Sequence, residues 1–416
     1  MSIETRARFG DLCRADAHPG PLLILDAQGT RLDAVPLDAP MTAPLIRLSP
    51  ETIELVGEDV AAARVIAMRR RALNARDAFD RLNGPCPPLP DARVRTAMIF
   101  CAGLGTRLRP LTERFPKPAV PFFGAPLIRY SLALLRSVGV ERVVINTHHL
   151  PRVMARTARA EAERLRLDLA ISHEPILMDT AGGLRDAQSL IGRERFLLVN
   201  GDAFLSIDLP ALIARHQERN ALASLAVTPP VPGETFRAIE ADPTGRIARI
   251  RGIGPDRSDL SPWHFLGVHV IEPELFDAIA PHGPRDINGE TYPALIARGA
   301  LIQALPVRVG AWADLGTPRR YLDACQEILS GQCDLTPLGR DAPILLGDKR
   351  IQIIDGQRSF IDPTARVAPD AIIRGAILDA HVEIGPGAQV INSVVFSGEK
   401  VERGLKVHNS LFPDCV

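Results

Sequence analysis

CAGLGTRLRPLTERFPKP, residues 101–118, follows the apolar run TAMIF and sets Gly103 and Gly105 beside three arginines and one lysine. An apolar run that ends in small residues and then in cations reads as a strand feeding a loop. In an open parallel sheet the ligand crevice lies beyond the carboxyl ends of the strands, which is where this loop falls. Glycine lets the backbone approach a ligand closely, and successive exposed N–H groups form a concave anion site to which Arg107, Arg109 and Lys117 add charge. The loop is not a P-loop, since GxxxxGK[ST] is absent, and it lacks the third glycine of the dinucleotide fingerprint.

Lysine usage singles out position 117. Of 49 basic residues only four are lysines, Lys117, Lys349, Lys400 and Lys406, so Lys117 is the only one in the first 348 positions. Arginine is the default cation of this chain. A lysine between two prolines therefore suggests a site needing a compact point charge that a planar guanidinium does not supply, against the plain alternative of a solvated surface lysine.

Around this loop, from Val94 onward, strand-like runs alternate with helix-like ones. TAMIFCA, ERVVINTH, LDLAISHEP and RFLLVNGD read as strands, and LIRYSLALLRSVG and PRVMARTARAEAERL as helices, so the pattern predicts a mostly parallel sheet flanked by helices. Further on come a hairpin (AIEADPTGRIARIRG), a strand (HFLGVHVI), a helix at PELFDAIA and another in ADLGTPRRYLDACQEIL, capped by Thr317 with Pro318 at its first position. Toward the C-terminus Ile361, Val367, Ile373, Leu378, Ile384, Val390, Phe396, Val401 and Val407 recur at steps of five or six. That period fits short parallel strands stacked as turns of a β-helix, each burying its apolar position against the next.

Upstream, PLLILDA, APLIRLS and TIELVG read as short strands and DVAAARVIAMRRRALNARDAF as an arginine-rich helix, followed by NGPCPPLPD, a linker with four prolines in nine residues. Length and 46% hydrophobic composition suffice for two or three domains. A formal net charge of zero gives no electrostatic reason to expect nucleic acid or an anionic membrane as partner. Six cysteines without metal-ligand spacing and an N-terminus unlike a signal peptide suggest a reducing, cytoplasmic compartment.

GLGTRLRPLTERFPKPAVPFFGAPLI resembles the signature of sugar-1-phosphate nucleotidylyltransferases, and the likeness continues through DTAGGL (179–184), VNGD (199–202) and WADLGTP (312–318), over roughly residues 95–330. The likeness is nearest the mannose-1-phosphate guanylyltransferase and N-acetylmuramate-1-phosphate uridylyltransferase branches. It implies an α/β fold with a Rossmann-like, mostly parallel sheet flanked by helices, of the nucleotide-diphospho-sugar transferase type. A small N-terminal α+β extension (1–94) precedes the catalytic domain (95–330); a linker (331–358) then leads to a hexad-repeat, left-handed β-helix-like domain (359–416). It also implies a reaction in which a sugar 1-phosphate attacks the α-phosphorus of a nucleoside triphosphate and pyrophosphate leaves.

The charges of that reaction explain the residues. Triphosphate and sugar phosphate bring about six negative charges together, each unit pair at 4 Å repelling by about 1 kcal/mol even in water. Arg107 and Lys117 alone do not neutralise that total, so Mg²⁺ is expected, with Asp202 and Asp314, each just after an apolar run, as its carboxylates. The resemblance assigns those aspartates the same role. It places Ala102, Gly103, Gly105 and Thr106 against the nucleotide, and Gly182 and Gly183 beneath the base; Gly267 and Asn288 are assigned to the sugar. His148 and His149 are left structural, because attack by an already ionised phosphate needs no general base. Two departures stand out. Where many members carry Glu-Lys-Pro after the hairpin, this chain has IRGIGPD with Arg251 as the nearby cation, and Cys101 replaces the usual alanine or glycine. The muramate-type uridylyltransferase and a non-catalytic nucleotide-sugar sensor are the alternative readings, and the C-terminal coils are a candidate surface for homo-oligomers.

Overall fold

The computed structural model describes residues 93–230, 239–344 and 349–413, together with three short strands nearer the N-terminus. Those strands, Leu22–Leu23, Leu45–Leu48 and Ile53–Val56, form an antiparallel meander. The arginine-rich helix and the proline-rich linker expected after them lie outside the described residues. Two compact units are present, one comprising 1–84 and 229–264, the other 85–228 and 265–416. Within the first, Ile239–Ala241 and Ile247–Ile250 make the expected hairpin, and Ile239 to Ala241 pair with Trp263 to Ser261.

The second unit carries the loop of interest. Its central strand, β1 (Thr96–Phe100), is parallel to β2 (Arg142–Thr147), which is parallel to the edge strand β3 (Asp168–His173), and on its other side to β4 (Phe196–Asn200). A second short sheet pairs β5 (Ala203–Ile207) with Val309–Asp314, antiparallel. β1, β2 and β4 are buried on both faces and accordingly read as near-continuous apolar runs. Helices α1 (Ile128–Ser137), α2 (Pro151–Leu165), α3 (Asp179–Asp186), α4 (Leu209–Arg219) and α5 (Pro318–Ser330) flank them. Thr317 caps α5 as expected, its hydroxyl accepting from Arg320 N at 3.3 Å with Pro318 in the first turn. PELFDAIA, expected as a helix, is a 3₁₀ helix at Pro273–Ala278, with a proline at its start and a β-region cap at its end that limit it to tight i→i+3 turns.

The C-terminal coils have a repeat of 17 residues rather than 18. Phe360 pairs with Ile377, Ile377 with Val394 and Val394 with Leu411, all in parallel; Arg366, Glu383 and Lys400 form a second ladder, and Ile372, Gln389 and Lys406 a third. Ile373, Leu378, Ile384, Val390, Val401 and Val407 fill the interior, as the hexad pattern predicts. Phe396 does not. The interior position of its coil is Val395, in register with Leu378, while Phe396 turns outward onto Tyr321 of α5. The ladder Phe360, Ile377, Val394, Leu411 likewise joins the core of the main sheet. One coil face is therefore apolar on both sides, which a period of five or six does not distinguish. Edge-to-face pairs Phe123–Phe360 and Phe122–Tyr321, with centroids 5.5 Å apart, extend this seam. Asp379 lies buried in it with Oδ1 unpaired among the described residues, and burial pushes its carboxyl up to about 7.

Candidate active site

The stretch 101–118 leaves β1 and winds through the short helices Thr106–Leu108, Leu111–Arg114 and Lys117–Ala119. Gly105 sits at φ 63°, and a Cβ there would meet Thr112 Cγ2 at 2.9 Å. The turn is held from the same side, Thr112 Oγ1 donating to Gly105 O at 2.9 Å. Gly103 faces open space. With Ala102, Gly105, Thr106, Arg107 and Lys117 it lines a cavity of about 450 Å³ bounded on the far side by Asn200, Gly201 and Asp202.

Strand register brings the two predicted carboxylates together. Asp202 immediately precedes Ala203, and Ala203 pairs with Asp314 across the antiparallel ribbon. Asp314 therefore ends a strand of this ribbon and not of the main sheet. Lys117 Nζ lies between the carboxylates, 3.0 Å from Asp202 Oδ2 and 2.9 Å from Asp314 Oδ1. The ammonium is almost fully enclosed (7% exposed), Asp202 half open to the cavity (49%) and Asp314 behind it (15%). Asp314 Oδ2 accepts from Arg320 Nη1 at 2.7 Å and lies 4.0 Å from Arg107 Nη2. Burial alone would raise the Asp314 carboxyl, but Lys117, Arg107 and Arg320 outweigh it and hold it below the usual carboxylate range. Gly316 completes the corner, for a Cβ there would lie 2.8 Å from Asp314 Oδ2 and 3.1 Å from Arg107 Nη2.

Behind the loop runs a buried polar chain linking three strand ends. Cys101 N donates to Asn146 Oδ1 at 2.7 Å, Asn146 Nδ2 to Glu174 Oε1 at 2.7 Å, and Met178 N to Glu174 Oε2 at 3.0 Å. Gly183 makes room for it, since a Cβ there would land on Glu174 Oε1; Gly182 packs on Met178 and the backbone of 283–285. Neither glycine lines the cavity; Asp179 and Thr180, just before them, do. Gly267, at φ 81°, leaves space for Asn200, a Cβ lying 3.0 Å from that side chain. Asn288 sits in the turn that donates Ile287 N to Thr180 Oγ1, and its Oδ1 is buried without a hydrogen-bond partner among the described residues. His148 and His149 each donate a ring N–H to a backbone carbonyl, of Glu174 and Thr112 respectively. Burial, and the Asp202 charge after it, push the Cys101 thiol up, which keeps it a neutral wall of the cavity.

Residues 96–331, more than half of the chain, match the family model of the nucleotidyl transferases. The chain belongs to that family. Among curated relatives, the UTP–glucose-1-phosphate uridylyltransferase of Synechocystis is 26% identical, the match covering 74% of this chain and 88% of that protein. The mannose-1-phosphate guanylyltransferase of Mycobacterium tuberculosis is 28% identical (74% and 81% covered), and the mannose-1-phosphate guanyltransferase of Yarrowia lipolytica 29% (77% and 91%). The matched segment of this nucleotidyl transferase contains the cavity, the ribbon and Arg320. No helix among its described residues is long and apolar enough to cross a membrane.

The donor chemistry of the site suits a divalent cation. Asp202 and Asp314 offer hard oxygens on neighbouring backbones, and Mg²⁺ typically takes only one or two carboxylates, completing its shell with phosphate oxygens and water. Three or more clustered protein ligands are not required, and none occurs among the described residues. Sequence reasoning did not find Arg320, Asn146 or Glu174. Arg320 had a signal, the Thr317 cap that fixes the first turn of α5 beside Asp314.

Proposed function

We propose that this nucleotidyl transferase joins a nucleoside triphosphate to a sugar 1-phosphate, releasing pyrophosphate, with GTP and mannose 1-phosphate as its substrates. The observation that carries the reading is Lys117 bridging Asp202 and Asp314 at the wall of a glycine-lined cavity. Names of the Mycobacterium and Yarrowia relatives favour guanylyl transfer to mannose 1-phosphate; the Synechocystis relative favours glucose 1-phosphate and UTP as the second reading.

In this mechanism the backbone of Ala102, Gly103, Gly105 and Thr106 receives the nucleotide phosphates, and Gly182 and Gly183 shape the floor from behind. Gly267 and Asn288 are assigned to the sugar side by their sequence motifs; neither lines the cavity. Asp202 and Asp314 would hold Mg²⁺, which supplies charge stabilisation to the transferring phosphoryl group. Arg107, two-thirds exposed on the loop, is free to swing onto phosphate oxygens, whereas Lys117 is fixed by its prolines and its two carboxylates. The nucleophile is a phosphate oxygen that is already ionised, so no residue is asked to remove a proton. Catalysis then consists of holding two anions in line and offsetting their repulsion. The supply of nucleoside triphosphate argues for a cytoplasmic setting.

A pyrophosphate-release assay over the four nucleoside triphosphates and a panel of sugar 1-phosphates tests this directly. GTP with mannose 1-phosphate is expected to give the largest kcat/KM. A larger value for UTP with glucose or N-acetylmuramate 1-phosphate would move the substrate, and no release with any pair would leave only the non-catalytic sensor. We further propose that copies associate through the last coil, whose strands Lys406–His408 and Leu411–Phe412 have a pairing neighbour on one side only among the described residues. Light scattering of the full chain should then give a multiple of 45.1 kDa, and a single-chain mass would refute it.

A further inference from the structure

Helix α2 packs along β2 and the edge strand β3. Between them lies a second groove, of about 420 Å³, walled on the helix side by Arg152, Arg156 and Arg159 and on the sheet side by Thr147, Ile171 and His173. Spacings of four and three residues put the guanidinium groups on one helix face, spread over about 10 Å at about 1.5 Å per residue. All three are exposed, and none forms an ion pair among the described residues. The acidic groups of α2 do not answer them: Glu161 is turned to Arg129 (3.2 Å) and Arg164 (3.7 Å), and Glu163, a turn beyond Arg159, does not reach it. His173 Nδ1 lies 3.2 Å from Thr147 O and 3.4 Å from Thr147 Oγ1, and Nε2 has no partner among the described residues.

We propose that this groove is a second anion site that takes a linear chain of two or three phosphates, and that its occupancy acts on the nucleotide loop. A single phosphate meets one guanidinium, whereas a chain of phosphates meets all three, each in the bidentate geometry arginine favours. The lining holds no Phe, Tyr or Trp, and its three guanidinium groups are placed to meet phosphates. Thr147 and His173 are the chain neighbours of Asn146 and Glu174, whose 2.7 Å hydrogen bond belongs to the buried chain holding Cys101 N. A ligand that shifts the ends of β2 and β3 therefore shifts the glycine loop, which gives the two sites a coupling free energy through packed, bonded neighbours. Binding stands apart from the substrates assigned above; only the effect on turnover rests on that reading.

Calorimetric titration of the full chain with inorganic tripolyphosphate tests it, using wild type and the Arg156→Gln/Arg159→Gln double variant. Two binding events are expected in wild type, one in the crevice and one in the groove. The variant should keep the first and lose at least about tenfold in the second, while its turnover without tripolyphosphate is unchanged. Titration with inorganic pyrophosphate and with a non-hydrolysable nucleoside triphosphate then separates free from nucleotide-borne phosphates, and groove binding by either supports the site. Identical stoichiometry and affinity in the two proteins would overturn it. So would tighter binding of a single-stranded oligonucleotide or of phosphatidylglycerol vesicles, lost in the same variant, because either ligand would reassign the groove to a macromolecule. Loss of turnover regulation with intact groove binding would overturn the coupling alone.

Discussion

Asp202→Asn is expected to lower turnover by about 10²–10³-fold, the size seen when one preorganised electrostatic group is removed from a reacting centre. Its melting temperature should stay within a few degrees of wild type. The two effects separate because of where Asp202 lies. Half of its side chain is open to the cavity, so its 3.0 Å pair with Lys117 adds little to folding. The ammonium keeps Asp314 as partner, and the amide fills the same volume. What disappears is a full negative charge at the one carboxylate facing both the cavity and the proposed cation. The variant should also need more Mg²⁺ for half-maximal rate. Wild-type turnover with an unchanged Mg²⁺ requirement would remove Asp202 from the site.

The parts of this site legible in the sequence are those whose chemistry is local. Gly103, Gly105 and Arg107 share one loop, and a strand before a glycine-bearing turn places that loop without any long-range knowledge. Asp202 and Asp314 were found because each closes an apolar run, yet their proximity depends on a pairing across more than a hundred residues, Ala203 with Asp314, that no spacing encodes. The buried chain of Cys101, Asn146 and Glu174 was invisible for the same reason. Asn146 and Glu174 matter only because β1, β2 and β3 lie side by side in that order. In the C-terminal coils the period was readable but the facing was not. Val394, Val395 and Phe396 are consecutive and apolar, and which one enters the coil interior is decided by the catalytic domain that covers the other two. The N-terminal extension carried no chemical signal in its sequence: its strand-like runs and arginines form no motif that specifies a chemistry.

Lys117→Arg is expected to cost about 10²-fold in turnover although it conserves charge, and about 1–3 kcal/mol in stability from overpacking. An ammonium directs its donors to carboxylates on two different backbones at 3.0 and 2.9 Å, within a space that leaves it 7% exposed. A guanidinium is planar and larger, and bonding one carboxylate bidentately would draw it off the other. Lys117→Met removes the charge instead, and its consequence has a pH signature. In wild type the Asp314 carboxyl is raised by burial but lowered more by Lys117, Arg107 and Arg320. A carboxyl held below its unfolded value contributes stability that is fully present above the unfolded pKa and is lost as pH falls through the folded one. Without Lys117 the downward pull weakens, so that contribution shrinks. The stability gap between wild type and Lys117→Met should therefore be widest near neutral pH, at the lower end of the about 3–5 kcal/mol for a broken buried pair because Arg107 and Arg320 remain, and should narrow on acidification. Urea unfolding at pH 7 and at about pH 3, below the ordinary aspartate value, measures it. A gap that does not change with pH would mean that Lys117 holds its place by packing alone, and an Arg variant of normal turnover would mean that the site wants positive charge but not a point charge.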